Sequence, residues 1–103
     1  MRIALDANLL LLLVVGLTAR DYIPRHRRLK SFTPEDFDLL IDCIGLDGVV
    51  VTTPNALTEA SNLLEYGVYE PLRSELYRTL AQVVHLADER YVPSREVADG
   101  GEF

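Results

Sequence analysis

The hydrophobic and polar positions at the start of the chain predict a short strand followed by a buried helix. Residues 2–6 form an apolar run that stops at an acid, and a Leu-rich stretch follows from residue 9 to residue 17. Because this stretch is apolar on every side, it is typical of a helix packed inside an α/β layer. We expect Gly16 to end this helix.

The clearest helix start in the sequence lies at Thr33. Thr33 offers an N-cap hydroxyl, a proline follows at the first helical position, and Asp36 is placed to complete a capping box. Phe32 and Phe37 have the spacing of a hydrophobic staple. Apolar residues then recur at helical spacing, and the pattern predicts a helix that ends at Gly45.

Three further elements are predicted in the second half of the chain. Residues 48–52 are apolar without polar alternation, which favours a strand covered on both faces, as in a parallel sheet. A second Thr-Pro pair then begins an amphipathic helix over residues 54–66. A long helix is predicted from about residue 70 to residue 90, followed by a break or short extended segment at 91–94. These elements indicate one α/β domain over residues 1–103.

Composition narrows the class of protein and its cellular setting. The chain has 103 residues, of which 49% are hydrophobic, too many for a disordered tail. The single cysteine, Cys43, cannot form an intramolecular disulfide or a thiolate zinc site alone, which favours a reducing, cytoplasmic setting. The apolar stretch 9–15 is shorter than the roughly 18–20 residues that span a bilayer, so we expect no membrane-spanning helix. Asp6 and Asn8 interrupt what otherwise imitates a secretory signal.

Positive charge is concentrated in one segment of an acidic chain. The net charge is −6, yet residues 20–30 hold five bases and one acid, a net charge of +4. This distribution argues against broad electrostatic binding to nucleic acid and permits a local phosphate-binding loop. A solvated loop is the favoured alternative, because the basic run over residues 25–30 has no interleaved aromatic residues. The candidate RNA-contacting residues are Arg25, Arg27, Arg28 and Lys30.

Candidate chemistry lies where the two predicted strands end. Asp6 closes the first strand and Thr53 follows the second, and ligands of parallel sheets gather beyond the carboxyl ends of the strands. Glu59, in the second turn of the following helix, could point back towards Asp6. Two carboxylates in one cleft need a proton or a cation between them, and oxygen ligands of this kind suit Mg²⁺ or Mn²⁺. The alternatives are that Asp6 caps the next helix, which is slightly favoured, and that Glu59 is a solvated helix residue.

Two segments carry a resemblance to a known family. Residues 3–10 (IALDANLL) and 52–64 (TTPNALTEASNLL) resemble the PIN-domain nucleases, which include the VapC-type toxins, and residues 91–96 also look like a segment of these proteins. The resemblance implies a PIN-like three-layer α/β fold with a short parallel sheet flanked by helices. It also implies a ribonuclease in which clustered acids hold Mg²⁺ or Mn²⁺, and the metal activates water for attack on an RNA phosphodiester.

The resemblance gives each candidate residue an expected role. Asp6 would be a metal ligand and Glu59 the second acid of the cluster, while Asn8 and Thr53 would orient Asp6 or a metal-bound water. Asn62 is a weaker candidate on the helix face that holds Glu59. A toxin of this family would meet RNA as substrate and an antitoxin as protein partner, and homodimers are common among its relatives.

The chain departs from the PIN pattern at its C-terminal end. PIN domains supply further acids from a helix and a strand beyond the position of residue 103, so the resemblance predicts a domain lacking its C-terminal part. An incomplete acid cluster should bind a divalent cation more weakly. The alternative function is therefore a non-catalytic PIN-like module that binds a protein partner or its own copy. A third reading is an RNA-binding domain that uses the basic segment without chemistry.

Overall fold

Strands and helices alternate along the described chain, which comprises residues 2–46, 48–64 and 66–89 of a computed structural model. The elements are β1 (Arg2–Ala4), α1 (Ala7–Ala19), a 3-10 helix (Arg20–Arg25), α2 (Pro34–Ile44), β2 (Val49–Thr52), α3 (Pro54–Leu64), α4 (Leu72–Leu86) and β3 (Asp88–Glu89). The order confirms the predicted α/β class. The predictions for residues 91–94 and for the PIN-like segment 91–96 lie outside the described residues.

The three strands form one parallel sheet in the order β1-β2-β3. Ala4 is paired with Val51, and the ladder continues where the Leu5 amide donates to the Val51 carbonyl oxygen at 3.0 Å. The carboxyl ends of β1 and β2 therefore lie side by side, as the sequence predicted for neighbouring strands. Val49 at the start of β2 is exposed, so the expectation of a strand covered on both faces is met only towards its carboxyl end.

The third strand occupies residues that the sequence assigned to a helix. Helix α4 ends at Leu86, Ala87 takes an extended conformation, and the next two residues pair with β2. The prediction of a helix up to residue 90 was therefore wrong at its end. Strand pairing is favoured over continuation of the helix because it satisfies the backbone donors and acceptors along the second edge of β2.

Helix α1 is the centre of the core. It contacts α2, α3, α4 and the 3-10 helix, and all residues from Leu10 to Gly16 are buried. This confirms the prediction of a helix apolar on every side. Gly16 does not end the helix, which continues to Ala19. Gly16 instead allows close packing, since an added Cβ would lie 2.6 Å from Cγ of Phe37.

One helical stretch has the length and composition of a membrane span. The stretch Ala7–Arg25 reaches a mean hydropathy of 1.3 over its most apolar window, and half of that window is buried inside the protein. The core helix of a soluble protein meets the same criteria, and the packing of α1 against three other helices explains its apolar composition. The expectation of no membrane-spanning helix stays a prediction.

Local capping fixes α2 as the sequence predicted. The Thr33 hydroxyl accepts from the Asp36 amide at 3.2 Å, and the Asp36 carboxylate accepts from the Thr33 amide at 2.8 Å. Gly45 follows the helix with φ of 67°, a left-handed conformation that glycine adopts without strain. The capping box and the helix end are therefore both confirmed. Helix α3 ends at Leu64, two residues earlier than predicted.

The basic segment is more ordered than an irregular loop. A 3-10 helix begins it, and Ile23, His26 and Leu29 are fully buried. Only Ile23 belongs to the 3-10 helix, and His26 and Leu29 continue the same spacing of three residues beyond its end. Two apolar residues and one histidine therefore anchor the segment to the core, while its arginine and lysine side chains remain exposed.

Candidate functional site

An open cleft lies at the carboxyl edge of the sheet, between the start of α1 and the start of α3. Its volume is about 470 Å³. Asp6, Thr53 and Glu59 all line it, together with Asn55. Three of the four residues predicted to be catalytic therefore line one cleft, although Asp6 is 47 and 53 positions away from the other two in the sequence. Asn8 and Asn62 are exposed and are not among the lining residues.

Asp6 forms the N-cap of α1. One carboxylate oxygen accepts a hydrogen bond from the Leu9 amide at 2.9 Å. The alternative that Asp6 caps the following helix is therefore confirmed. Capping uses one oxygen of an exposed carboxylate, and the second oxygen has no hydrogen-bond partner among residues 2–46, 48–64 and 66–89. A metal-ligand role and a capping role are compatible for this side chain.

Thr53 performs the same task for α3. Its hydroxyl accepts from the Ala56 amide at 3.1 Å, so the side chain caps this helix. Helices α1 and α3 thus both begin at the cleft, and the partial positive charge of each N-terminus favours negative groups there. The role in orienting Asp6 stays a prediction for Thr53.

Glu59 and Asn55 extend from α3 into the cleft one turn apart. Both side chains are exposed, and both line the cleft. Asn55 was not among the predicted site residues, but the spacing of i and i+4 from Glu59 carried the signal, since such residues share a helix face. Thr52, the last residue of β2, is 2% exposed, and its hydroxyl has no hydrogen-bond partner among the described residues.

The donor set of the cleft fits a hard divalent cation in part. Two carboxylates, a hydroxyl and an amide oxygen are the ligand types that Mg²⁺ and Mn²⁺ take. Within the described part of the chain, no three His, Cys, Asp or Glu side chains gather closely enough to hold a metal. A cation in this cleft would therefore depend on Asp6 and Glu59, with water filling most of its coordination positions.

The four candidate RNA-contacting side chains, Arg25, Arg27, Arg28 and Lys30, are exposed on the basic segment. The guanidinium carbons of Arg27 and Arg28 lie 5.7 Å and 5.9 Å from the ring centroid of Tyr66, just beyond the end of α3. At these distances both cations are attracted by the ring. The segment therefore does have an aromatic partner, which the fold brings from 38 positions away.

His26 fastens the basic segment to α3 and was not singled out in the sequence. Its Nε2 lies 2.8 Å from the Leu64 carbonyl oxygen, and its Nδ1 accepts from the Arg28 amide at 3.1 Å. Since a backbone amide can only donate, Nδ1 is unprotonated and Nε2–H donates to Leu64. Burial lowers the pKa of His26, and the positive charge of Arg28 adds to this effect.

Two apolar clefts flank α2. One, of about 500 Å³, lies against β1 and includes Leu39 and Cys43, and the other, of about 240 Å³, lies against β2 and includes Ile41. Leu39 is 62% exposed and Ile41 is 37% exposed. Leu39 and Ile41 are two positions apart and lie on different sides of α2, and each contributes exposed apolar surface of the kind found at protein interfaces.

Comparison with known proteins gives no family assignment: no family model, no curated protein and no solved structure matches this chain.

Proposed function

We propose that this chain is a PIN-like ribonuclease domain in which Asp6 and Glu59 hold one Mg²⁺ or Mn²⁺ at the carboxyl edge of the sheet. The observation that carries the proposal is that these two acids, 53 positions apart in the sequence, line the same cleft. The parallel pairing of β1 with β2 produces this arrangement, because it brings the two strand ends to one edge.

The surroundings of the cleft favour an anionic substrate as well as a cation. Helices α1 and α3 both start there, and their N-terminal ends attract negative groups such as a phosphodiester. A divalent metal in such a site polarises a phosphoryl oxygen and lowers the pKa of bound water. Asp6 and Glu59 would position the cation, while the amide of Asn55 and the hydroxyl of Thr53 offer neutral oxygens beside it.

Metal binding tests this proposal directly on the 103-residue chain. Mn²⁺ titration followed by electron paramagnetic resonance gives the dissociation constant without any need for RNA. We expect Asp6→Asn and Glu59→Gln each to weaken Mn²⁺ binding tenfold or more. Asparagine caps helices about as well as aspartate, so Asp6→Asn removes the charge and keeps the start of α1.

A matched control shows whether the loss of Mn²⁺ binding is specific to the acids of the cleft or follows from the removal of any exposed acid. Glu75→Gln removes one exposed acid from the first turn of α4, away from the cleft, and should leave Mn²⁺ affinity unchanged. Cleavage of single-stranded RNA should depend on Mn²⁺ and disappear in Asp6→Asn. Equal Mn²⁺ affinity in all four proteins, or cleavage that persists in Asp6→Asn, would overturn the proposal.

The second candidate function is a non-catalytic PIN-like interaction module. The exposed Leu39 and Ile41, each beside an apolar cleft on α2, favour it. Light scattering after size-exclusion chromatography tests for self-association. We expect a dimer that Leu39→Lys disrupts and that Tyr69→Lys, at an exposed aromatic position that lines neither cleft, does not. A chain that is monomeric at all concentrations would contradict self-association.

A further inference from the structure

We infer that Arg27, Arg28 and Tyr66 form a second nucleotide-binding site, outside the cleft, which takes one phosphate and one base of a single-stranded RNA. Tyr66 is 51% exposed, and both guanidinium groups lie within 6 Å of its ring centroid. The cluster therefore presents two cations and an aromatic ring to solvent at one place. The choice of RNA as ligand rests on the proposed function, whereas the site itself depends on different residues.

Two contacts hold this cluster in place from within the fold. Buried His26 bonds to the backbone of Arg28 and to the carbonyl of Leu64, which fixes the spacing between the basic segment and the end of α3. Gly67 lies directly against the stem of Arg27, since an added Cβ would be 2.7 Å from the Arg27 Cδ. The site is thus preorganised, which reduces the entropy lost when a ligand binds.

The two arginines lack an acidic partner in the described structure. Arg20, on the same segment, pairs with Asp38 through hydrogen bonds of 3.0 Å and 2.6 Å. Across residues 2–46, 48–64 and 66–89, no carboxylate forms an ion pair with Arg27 or Arg28. Two like charges held beside one ring repel each other, so an anion bound between them is favoured.

The chemistry of the cluster selects a nucleotide over other phosphate compounds. Guanidinium groups bind phosphate through paired hydrogen bonds, and aromatic and guanidinium planes stack on unpaired bases. An inorganic phosphate, a phosphorylated side chain or a lipid headgroup would use the charges and leave the ring unused. A base-paired strand keeps its bases stacked internally, so the cluster favours a single strand.

Helix α3 relates this site to the cleft. Thr53 stands before the first residue of α3, and Tyr66 lies two positions beyond its last residue. A helix of 11 residues is about 16 Å long at 1.5 Å per residue. The two sites therefore lie at opposite ends of one rigid element, so that a single RNA strand running along α3 could reach both.

Fluorescence anisotropy of a labelled 12-nucleotide single-stranded RNA, measured in EDTA to prevent cleavage, tests this inference. Tyr66→Ala should weaken binding about tenfold, because stacking on an aromatic side chain contributes ~1–3 kcal/mol per base. The double variant Arg27→Ala/Arg28→Ala should weaken binding and reduce the slope of log K against log salt by about 0.7, the value for one lost phosphate contact.

Control variants distinguish the loss of this site from a general loss of positive charge and from misfolding. Arg20→Ala removes one charge from the same segment, and Tyr69→Ala removes a highly exposed tyrosine nearby, so both should keep affinity within about twofold. Tyr66→Leu keeps a large apolar side chain at this position and removes the aromatic ring. It should bind RNA as poorly as Tyr66→Ala while unfolding at the same urea concentration as the unmodified chain.

The outcomes that would overturn the inference differ from the outcome that would overturn only the proposed function. Equal loss of affinity in Arg20→Ala and the double variant would show general charge attraction. Competition by inorganic phosphate as effective as competition by unlabelled RNA, or equal binding of duplex and single strand, would exclude base stacking. If Mn²⁺ does not bind the cleft but Tyr66→Ala still loses RNA, the proposed ribonuclease fails and this site stands.

Discussion

Replacement of His26 by alanine is the change for which the structure gives the largest expected effect on stability. The ring is fully buried and makes two hydrogen bonds, one from Nε2–H to the Leu64 carbonyl and one from the Arg28 amide to Nδ1. Alanine removes both bonds and leaves a cavity between the basic segment and the end of α3. Both backbone groups then lose their partner.

The expected decrease in the free energy of unfolding follows from these two lost hydrogen bonds and the lost packing. An unsatisfied buried polar group costs ~1–3 kcal/mol, and the Arg28 amide is the cheaper of the two because it is only partly buried and can turn to water. With the lost packing of the ring, we expect the free energy of unfolding to fall by about 3 kcal/mol. A domain of this size has a total stability of about 5–15 kcal/mol, so the effect is large.

Urea denaturation followed by circular dichroism measures the effect of His26→Ala. His85→Ala, an exposed position on α4, is the matched control and should change stability by less than ~0.5 kcal/mol. A loss below ~1 kcal/mol in His26→Ala would refute the reasoning, because it would mean that the two hydrogen bonds and the buried ring contribute almost nothing.

The same contact gives a pH dependence with a definite sign. Burial lowers the pKa of His26 below its ordinary value of 6.5, so the unfolded chain binds this proton more readily than the folded one. The contribution of neutral His26 is therefore complete above pH 6.5 and decreases as the pH falls from 6.5 towards the lowered pKa. The urea midpoint should fall with pH in this range more steeply for the unmodified chain than for His26→Ala. Parallel curves would contradict this assignment.

Three further substitutions test separate parts of the fold by urea denaturation. Gly16→Ala would place a methyl group 2.6 Å from Cγ of Phe37 and should cost about 1–3 kcal/mol; an unchanged midpoint would mean that the ring moves freely. Thr33→Ala removes the hydroxyl that caps α2 and should cost about 1 kcal/mol, whereas Thr33→Ser should recover most of it. Thr52→Val replaces a buried hydroxyl that has no hydrogen-bond partner among the described residues, and should raise stability by about 1 kcal/mol or more; a loss would reveal a partner for this group.

Elements that depend on local signals could be predicted from the sequence. The capping box at Thr33, the glycine end of α2 and the all-round burial of α1 each follow from residues within a few positions of one another. The parallel pairing of the first two strands was also predictable, because a strand, a helical crossover and a second strand favour it. The candidate cleft followed from this pairing, and Asp6 and Glu59 were found in it.

Features that depend on tertiary contacts could not be predicted from local patterns. β3 forms because its backbone finds the free edge of β2, although residues 88–89 continue a helical pattern in the sequence. Gly16 has the residue type of a helix end, yet its place against Phe37 is determined by how α2 crosses α1. In both cases the local sequence pattern favoured one structure, and a contact between residues distant in the sequence favoured another more strongly.

The basic segment shows how such a contact changes a functional interpretation. Without an aromatic residue among residues 25–30, the sequence favoured a solvated loop, and that inference depended on nearness in the chain alone. The fold supplies the missing ring from Tyr66 and holds it against Arg27 and Arg28 through a buried histidine. The function of a charged segment therefore depends on which distant residues its buried side chains place next to it. Here Ile23, His26 and Leu29 are the anchors, and the arginines that lie between them keep their side chains exposed.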